Sequence, residues 1–354
     1  MTFEDVLEIK NGRNQRAVED PNGKYPIYGS GGVMGYANDY ICPENTVVIG
    51  RKGNINKPLF VDVPFWNVDT AFGLVAKKDV LLPRYLYYFC VNYDFEQHNK
   101  TVTIPSLTKA DILKIKINLP TIEEQKRITD RLKKIEAIME LSNQELSALD
   151  NLIKARFVEM FGYPVSKQGQ NEKLSDTGKV YTGSTPSMKV PEYYERNDIP
   201  FIKPGDIAES GVTLVRDTVS FISDKGRDVA RVMPQGSVLV TCIGTIGKVG
   251  ITAKESCCNQ QINFIIPNER HNPIYLAYCL TFFKDVLVDI ANAPVVPIIN
   301  KSQFSALEIP VVPKIEQDRF AAFVSQVDKS KCFVQKALNE AQILFDSLMQ
   351  TYFG

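Results

Sequence analysis

The sequence predicts an α+β chain: two similar α/β globular domains separated by two long helices that pair as an antiparallel intramolecular coiled coil with pseudo-twofold repetition. Three observations carry that prediction. The chain closes a long amphipathic stretch twice, at Phe161-Gly162 and again 192 positions later at Phe353-Gly354. The same offset relates Glu124-Gln125 and Arg127 to Glu316-Gln317 and Arg319. Before each Phe-Gly pair, apolar residues recur in steps of four and three. Self-similarity at a fixed offset marks a duplicated architecture, and a sustained 3.5-residue period marks a coiled coil.

Residues 1–120, the first globular domain, read as short strands and turns. The segment from Tyr28-Gly29-Ser30-Gly31-Gly32 to Tyr36 is glycine-dense and flanked by tyrosines. It suits close backbone approach to a ligand and aromatic packing on sugars or bases, which makes Tyr28, Ser30 and Gly31 candidate DNA contacts. A plain tight turn is the competing reading. Thr46-Val47-Val48-Ile49-Gly50 reads as a strand running into the loop Arg51-Lys52-Gly53-Asn54. With Lys57, Arg51 and Lys52 form the clearest basic cluster in the chain. Arginine can grip guanine O6 and N7 bidentately, while lysine mostly serves phosphates; the alternative is a solvated loop. Pro83-Arg84-Tyr85-Leu86 opens a helix with proline in its first turn. Lys109, after Thr108, is either a phosphate anchor or an ordinary surface lysine.

Residues 121–162 form the first helical segment. Its pairing positions are Ile128, Leu132, Ile135, Met139, Ser142, Leu146, Leu149, Ile153, Arg156 and Met160. In the second helical segment, residues 314–354, the same register gives Phe320, Val324, Val327, Lys331, Val334, Leu338, Ala341, Phe345, Leu348 and Tyr352. Two unrelated amphipathic helices on separate domains are the alternative. Pro120 and Pro313 end extended backbone before each helix. Gly162 and Gly354 stand where a helix C-cap takes positive φ. Ile128 to Met160 spans about 50 Å at roughly 1.5 Å per residue. A globular region of ~150 residues is only about 35–40 Å across. It cannot carry the chain back along the whole rod, so the second helix starts near the far end and returns antiparallel.

Residues 163–313 make the second globular domain, about 30 residues longer than the first. Ser237-Val238-Leu239-Val240-Thr241 and the loop from Cys242 to Lys248 mirror the first strand and loop, with Gly244 answering Gly53 and Lys248 answering Lys57. Pro273-Ile274-Tyr275-Leu276 answers Pro83-Arg84-Tyr85-Leu86, and Asn300-Lys301 answers Thr108-Lys109. Gly244-Thr245-Ile246-Gly247-Lys248 lacks the spacing of a nucleotide phosphate loop, so Thr245 and Lys248 are read as phosphate contacts on DNA. Asn259, Gln260 and Gln261, with Asn263, precede an apolar strand. Their amides either pair with adenine in the major groove or satisfy buried backbone. Thr182, Ser184 and Thr185 lie in a polar turn suited to phosphate, and Lys301 is a second candidate anchor. One scaffold carrying different loops suits two readers of different targets.

Composition excludes much else. The 41 basic residues balance 41 acidic ones, so nucleic-acid binding must come from local patches. Neither a membrane span nor a signal peptide is expected. Seven scattered cysteines without a Cys-x-x-Cys predict a reduced, cytoplasmic protein. His98 and His271 have no ligand-spaced companions, so no metal is expected. Glu8-Ile9-Lys10 is an isolated fragment of a nuclease triad. No adenine-flipping signature and no S-adenosylmethionine glycine fingerprint occur, so DNA chemistry belongs to another chain.

The chain resembles the specificity subunits of type I restriction–modification systems. The carrying residues run from Leu119-Pro120-Thr121-Ile122-Glu123-Glu124-Gln125 to Ile128, then Phe157-Val158-Glu159-Met160-Phe161-Gly162. Tyr28 to Tyr36, Ile49-Gly50-Arg51-Lys52-Gly53 and Gly183-Ser184-Thr185-Pro186-Ser187 add to them. The resemblance implies a non-catalytic subunit without a cofactor of its own. Each target-recognition domain would read one half of a bipartite, asymmetric site in double-stranded DNA. The helices would set the spacer and dock two modification (methyltransferase) subunits that use S-adenosylmethionine. Restriction subunits would supply ATP- and Mg-dependent translocation and cleavage. A 50 Å rod spans about 14 base pairs at ~3.4 Å each. The alternatives are a specificity subunit of a methylation-only or type IIB-like system, a coiled-coil adaptor with no DNA role, and an autonomous nuclease or methyltransferase.

Overall fold

The computed structural model describes residues 1–99, 104–165, 169–291 and 296–354. The chain forms two compact units: Met1–Asn143 with Gln335–Gly354, and Gln144–Val334. The division falls inside both long helices, so each unit holds one half of each.

In the first unit, α1 (Phe3–Val6) leads into β1 (Leu7–Asn11), β2 (Tyr25–Gly29), β3 (Gly32–Ala37), β4 (Thr46–Gly50), β5 (Leu59–Val61), β6 (Trp66–Asn67) and β7 (Ala71–Ala76). There follow α2 (Pro83–Asn92), α3 (Lys109–Leu113) and the 40-residue α4 (Ile122–Phe161). One sheet has the order β1-β7-β4-β5 and a second β3-β2-β6. β4 is buried along its whole length, as a β-branched run packed on both faces should be. Proline at the first turn starts α2, and the Thr108 side chain caps α3 by accepting from the Asp111 amide.

The second unit contains β8 (Asn171–Lys173), β9 (Gly178–Thr182), β10 (Ile199–Ile202), β11 (Val212–Val215), β12 (Phe221–Ile222), α5 (Asp224–Arg227) and β13 (Val232–Met233). β14 (Val238–Thr241), β15 (Val249–Thr252), β16 (Ser256–Cys258), β17 (Ile262–Pro267), α6 (Pro273–Thr281), α7 (Lys284–Ile290), α8 (Lys301–Ser305), β18 (Glu308–Pro310) and the 40-residue α9 (Lys314–Phe353) complete it. Its main sheet has the order β11-β15-β14-β17-β9, and a smaller one β12-β10-β16-β13.

The repeat extends to strand register. In the first unit Val47 faces Leu74 and Leu7 faces Ala76 across antiparallel pairs. In the second, Val238 faces Ile265 and Gly178 faces Pro267. The three-stranded cores β1-β7-β4 and β9-β17-β14 are thus paired residue for residue in the same way. A slip of one residue would turn the inward Leu7 and Ile9 of β1, or Val180 of β9, away from the core, so this agreement reflects one scaffold used twice.

Each core is joined to the start of a long helix by a buried glutamine, which explains the repeated Glu-Gln pair. Gln125 accepts from the Leu82 amide (2.8 Å) and donates to the carbonyls of Val80 (2.9 Å) and Pro120 (3.0 Å). Gln317 accepts from Asn272 (2.8 Å) and donates to Val312 (2.8 Å) and Arg270 (3.3 Å). A side chain with one acceptor and two donors is needed at both places. Gln125→Leu strips three part-buried backbone groups of their partner and is expected to cost roughly 2–4 kcal/mol. Denaturant unfolding measures it, and a loss under about 0.5 kcal/mol would contradict this role.

In both units the helices run antiparallel. Arg131, early in α4, donates to the Tyr352 hydroxyl, late in α9 (3.1 Å). Asp150, late in α4, meets Lys331, early in α9 (2.7 Å). All ten register positions on each helix are buried or half-buried. The polar ones have reasons: Lys331 has its ion pair, and the Arg156 guanidinium lies 5.9 Å from the Phe323 ring centre. Outside the register positions, beside Arg156, Phe157 sits fully buried amid Phe161, Tyr275, Phe282 and Phe320, with ring centres 5.0–5.6 Å away. In the first unit Met349 holds the corresponding position, and Phe353 packs on Tyr85 at 5.0 Å. One expectation needs correcting. Gly162 adopts a φ of 71°, but Gly354 is not among the positive-φ residues; its amide continues the helical pattern by donating to the Gln350 carbonyl (3.0 Å).

Candidate nucleic-acid interface

The loop after β4 is held by its backbone. The Arg51 and Lys52 amides both donate to the Thr70 carbonyl (2.8 and 3.3 Å), Gly53 donates to Pro105, and Leu107 donates to Arg51. Gly53 has a φ of 79°, a left-handed conformation that side chains resist. Because the backbone is satisfied internally, the Arg51, Lys52 and Lys57 side chains are left exposed. No ion pair holds them among the described residues. The Arg51 guanidinium lies 5.7 Å from the Phe72 ring centre, which steadies a group suited to base or phosphate edges.

The second unit builds the same bend with other chemistry. Gly244 has a φ of 75° and donates to Pro297, and Ile299 donates to Cys242. The residue corresponding to Arg51 is Cys242, whose burial pushes its thiol up to about 11. Thr245 is exposed at the tip. Lys248, expected to meet a phosphate, does not belong to the surface. Its side chain is 9% exposed, bridges Glu209 at 2.7 Å and donates to the Pro204 carbonyl at 3.3 Å. Releasing it for DNA would draw a buried ammonium away from both the Pro204 carbonyl and Glu209, whose own side chain is 72% exposed.

The other candidates divide likewise. Tyr28 is half-buried edge-on against Phe65 (5.3 Å), and burial raises its hydroxyl above the usual range. Ser30 and Gly31 form the turn between β2 and β3. Lys109 is exposed but donates to the Ile9 carbonyl at 3.1 Å. Thr182 donates to the buried Asn263 (2.7 Å), which in turn donates to the Ile299 carbonyl. Asn259 donates to the Gln261 side-chain oxygen and accepts from the Gln261 backbone amide, so the Asn259 amide and the Gln261 oxygen are engaged in the turn. Gln260, exposed, accepts from the Thr185 hydroxyl at 2.5 Å.

Around these residues the fold assembles a patch that local sequence does not announce. Ser184 accepts from the Arg231 amide (2.8 Å), and the Arg231 guanidinium donates to the Thr182 carbonyl. Arg231 and Lys301 each lie 5.6 Å from the Tyr181 ring centre. Thr185 and Asn259 also line a cavity of about 340 Å³ with Lys203, Tyr194 and Phe201. Arg231 and Lys203 are therefore added to the second unit's candidates. Neither sits in a repeated or glycine-rich motif, so no spacing signal marked them.

Among the described residues no group of three or more His, Cys, Asp or Glu could hold a metal. His271 lies between Asn268 and Glu172 (2.8 Å each), His98 meets Tyr93 (2.7 Å), and Glu8 is paired with Lys10 (2.6 Å). Burial pushes the thiols of Cys42 and Cys257 up to about 12, far from a reactive thiolate. No described helix is long and apolar enough to cross a membrane.

Comparison with known proteins agrees with this architecture. The family model described as the type I restriction modification DNA specificity domain matches residues 1–151 and 168–342. The HindI specificity subunit of Haemophilus influenzae is 24% identical over 344 residues, covering 73% of this chain and 74% of its own length. The EcoR124I/EcoR124II specificity subunit of Escherichia coli is 26% identical, covering 84% and 77%. The MjaIX specificity subunit of Methanocaldococcus jannaschii is 31% identical over 46% of this chain and 39% of its own length. The crystal structure of the type I S subunit from M. genitalium shares the fold, with a TM-score of 0.67 at 14% identity over 100% of this chain and 95% of that one.

Proposed function

We propose, since this chain belongs to the family of type I restriction–modification DNA specificity domains, that it is the non-catalytic DNA-reading subunit of such a complex. Each globular region, residues 1–120 and 163–313, reads one half of a bipartite, asymmetric site. The helical segments, 121–162 and 314–354, set the spacer and dock two methyltransferase subunits. S-adenosylmethionine, ATP and Mg act on the modification and restriction subunits, and the assembly works in the cytoplasm on double-stranded DNA.

One observation carries this reading. The same three-stranded scaffold and the same glycine bend occur twice, yet the bend bears Arg51-Lys52 in one unit and Cys242-Ile243 in the other. A duplicated scaffold with unlike surface chemistry suits two readers of two different half-sites, since phosphate contacts position a protein and base contacts specify it. The test is a graft. Replacing residues 163–313 with the same region of a relative, then mapping genome methylation with the modification partner present, is expected to change one half-site and leave the other. A change in both halves, or in neither, would sink the proposal.

A further inference from the structure

The β2–β3 hairpin of the first unit closes through a two-residue turn, whereas β10 and β12, which repeat its pairing in the second unit, are joined through 18 residues; the hairpin leaves apolar side chains uncovered. β2 pairs with β6 only at Ile27 and Tyr28, and the β2–β3 register shifts between those two residues. Beyond Tyr28 the hairpin has no strand beside β2. A Cβ added at Gly31 or Gly32 would meet no protein atom within 4 Å. On β3 the consecutive residues Val33 and Met34 are 53% and 61% exposed, and Tyr36 is 48% exposed. The register shift leaves Met34 without a partner on β2, as the extra residue of a β-bulge between Val33 and Gly35, so both apolar side chains stand at an irregular, open tip. The Met34 thioether lies over Gly29.

The tip is tied to the basic loop through the backbone. Val68 donates to the Tyr28 carbonyl, and two residues on, the Thr70 carbonyl accepts from both Arg51 and Lys52. One short segment, 66–70, therefore joins the hairpin base to the exposed cations. Nearby acids lie towards the base: Glu19 is against Gly35, Asp20 binds Asn38, and Asp62 acts on Tyr28. Aliphatic side chains on a narrow, glycine-bearing tip beside cations match the chemistry of a wedge. Such side chains enter a groove and pry neighbouring base pairs apart while adjacent cations hold the phosphates.

We propose that Val33 and Met34 form an unstacking wedge, which opens one base step in the half-site read by the first domain and kinks the duplex there. The inference rests on the function proposed above and adds an asymmetry to it, because the second domain joins the matching strands β10 and β12 through 18 residues and has no such two-residue tip. Distortion should be confined to one half-site.

The test uses the full chain in complex with its modification subunits and a duplex carrying the site mapped by genome methylation. 2-Aminopurine is placed at each position of both halves in turn. The expected result is a several-fold fluorescence rise at one step of the first half and none in the second. Val33→Ser with Met34→Ser, both on exposed positions, should abolish the rise and weaken binding roughly 10-fold or more. The slope of affinity against salt should not change, since no charge is altered. No rise at any position, a rise in both halves, or a double variant that unstacks like the parent overturns the wedge. Arg51→Ala with Lys52→Ala separates the two levels. A lowered salt slope there with an inert wedge variant rejects only the wedge. An unchanged salt slope removes the first domain's interface as well.

Discussion

Replacing Arg51 and Lys52 together by glutamate is expected to lower affinity for the cognate duplex on the order of 100-fold, with the fold intact. The magnitude follows from their setting. Both side chains are exposed, neither has an ion-pair partner among the described residues, and their backbone is held by Thr70, Pro105 and Leu107. The loop is thus already ordered, and little entropy is lost when it meets DNA. Two phosphate contacts removed should also reduce the slope of log affinity against log salt by about 2, at roughly 0.9 per contact. Binding isotherms at several salt concentrations check both quantities, with thermal unfolding as the control for folding. Unaltered affinity and slope would take this loop out of the interface.

Phe157→Ala should destabilise the fold more than Gln125→Leu does, at about 3–5 kcal/mol. Phe157 is fully buried, and its ring contacts come from α4, α6 and α9. The cavity left cannot collapse easily, because the neighbouring rings are rigid and already packed on one another. The loss should fall on the second unit. Met349→Ala, at the corresponding place in the first unit, removes a flexible side chain that is 5% exposed and should cost less. Calorimetry of the two variants reads the difference. Equal costs would mean that the two joints between head and helix do not depend on these core residues in the way described.

Much of the architecture was legible because its signals are local or repeated. The 3.5-residue period marked the seam, since only one face of each helix can be hidden. Prolines marked helix starts, because they act within one turn. The 192-residue offset exposed the duplication and, with it, the importance of Gln125 and Gln317. Site residues were less legible. Lys57 and Lys248 looked equivalent by spacing, yet Lys57 is exposed and Lys248 is buried against Glu209. The acid responsible lies on the connection before β11, within a stretch of the second unit that has no counterpart in the first. Arg231 was missed for the same reason. Its place beside Tyr181 and Lys301 depends on contacts spanning 49 or more positions.

Periodicity and repetition were enough to establish two heads, two helices and one scaffold used twice, because they record short-range constraints that every copy of the scaffold must meet. Whether a given lysine is a free charge or is packed away with its ammonium on a carboxylate is a different matter. That depends on which distant carboxylate the fold brings within hydrogen-bonding reach and how much water is excluded around it. Only the packed chain decides that.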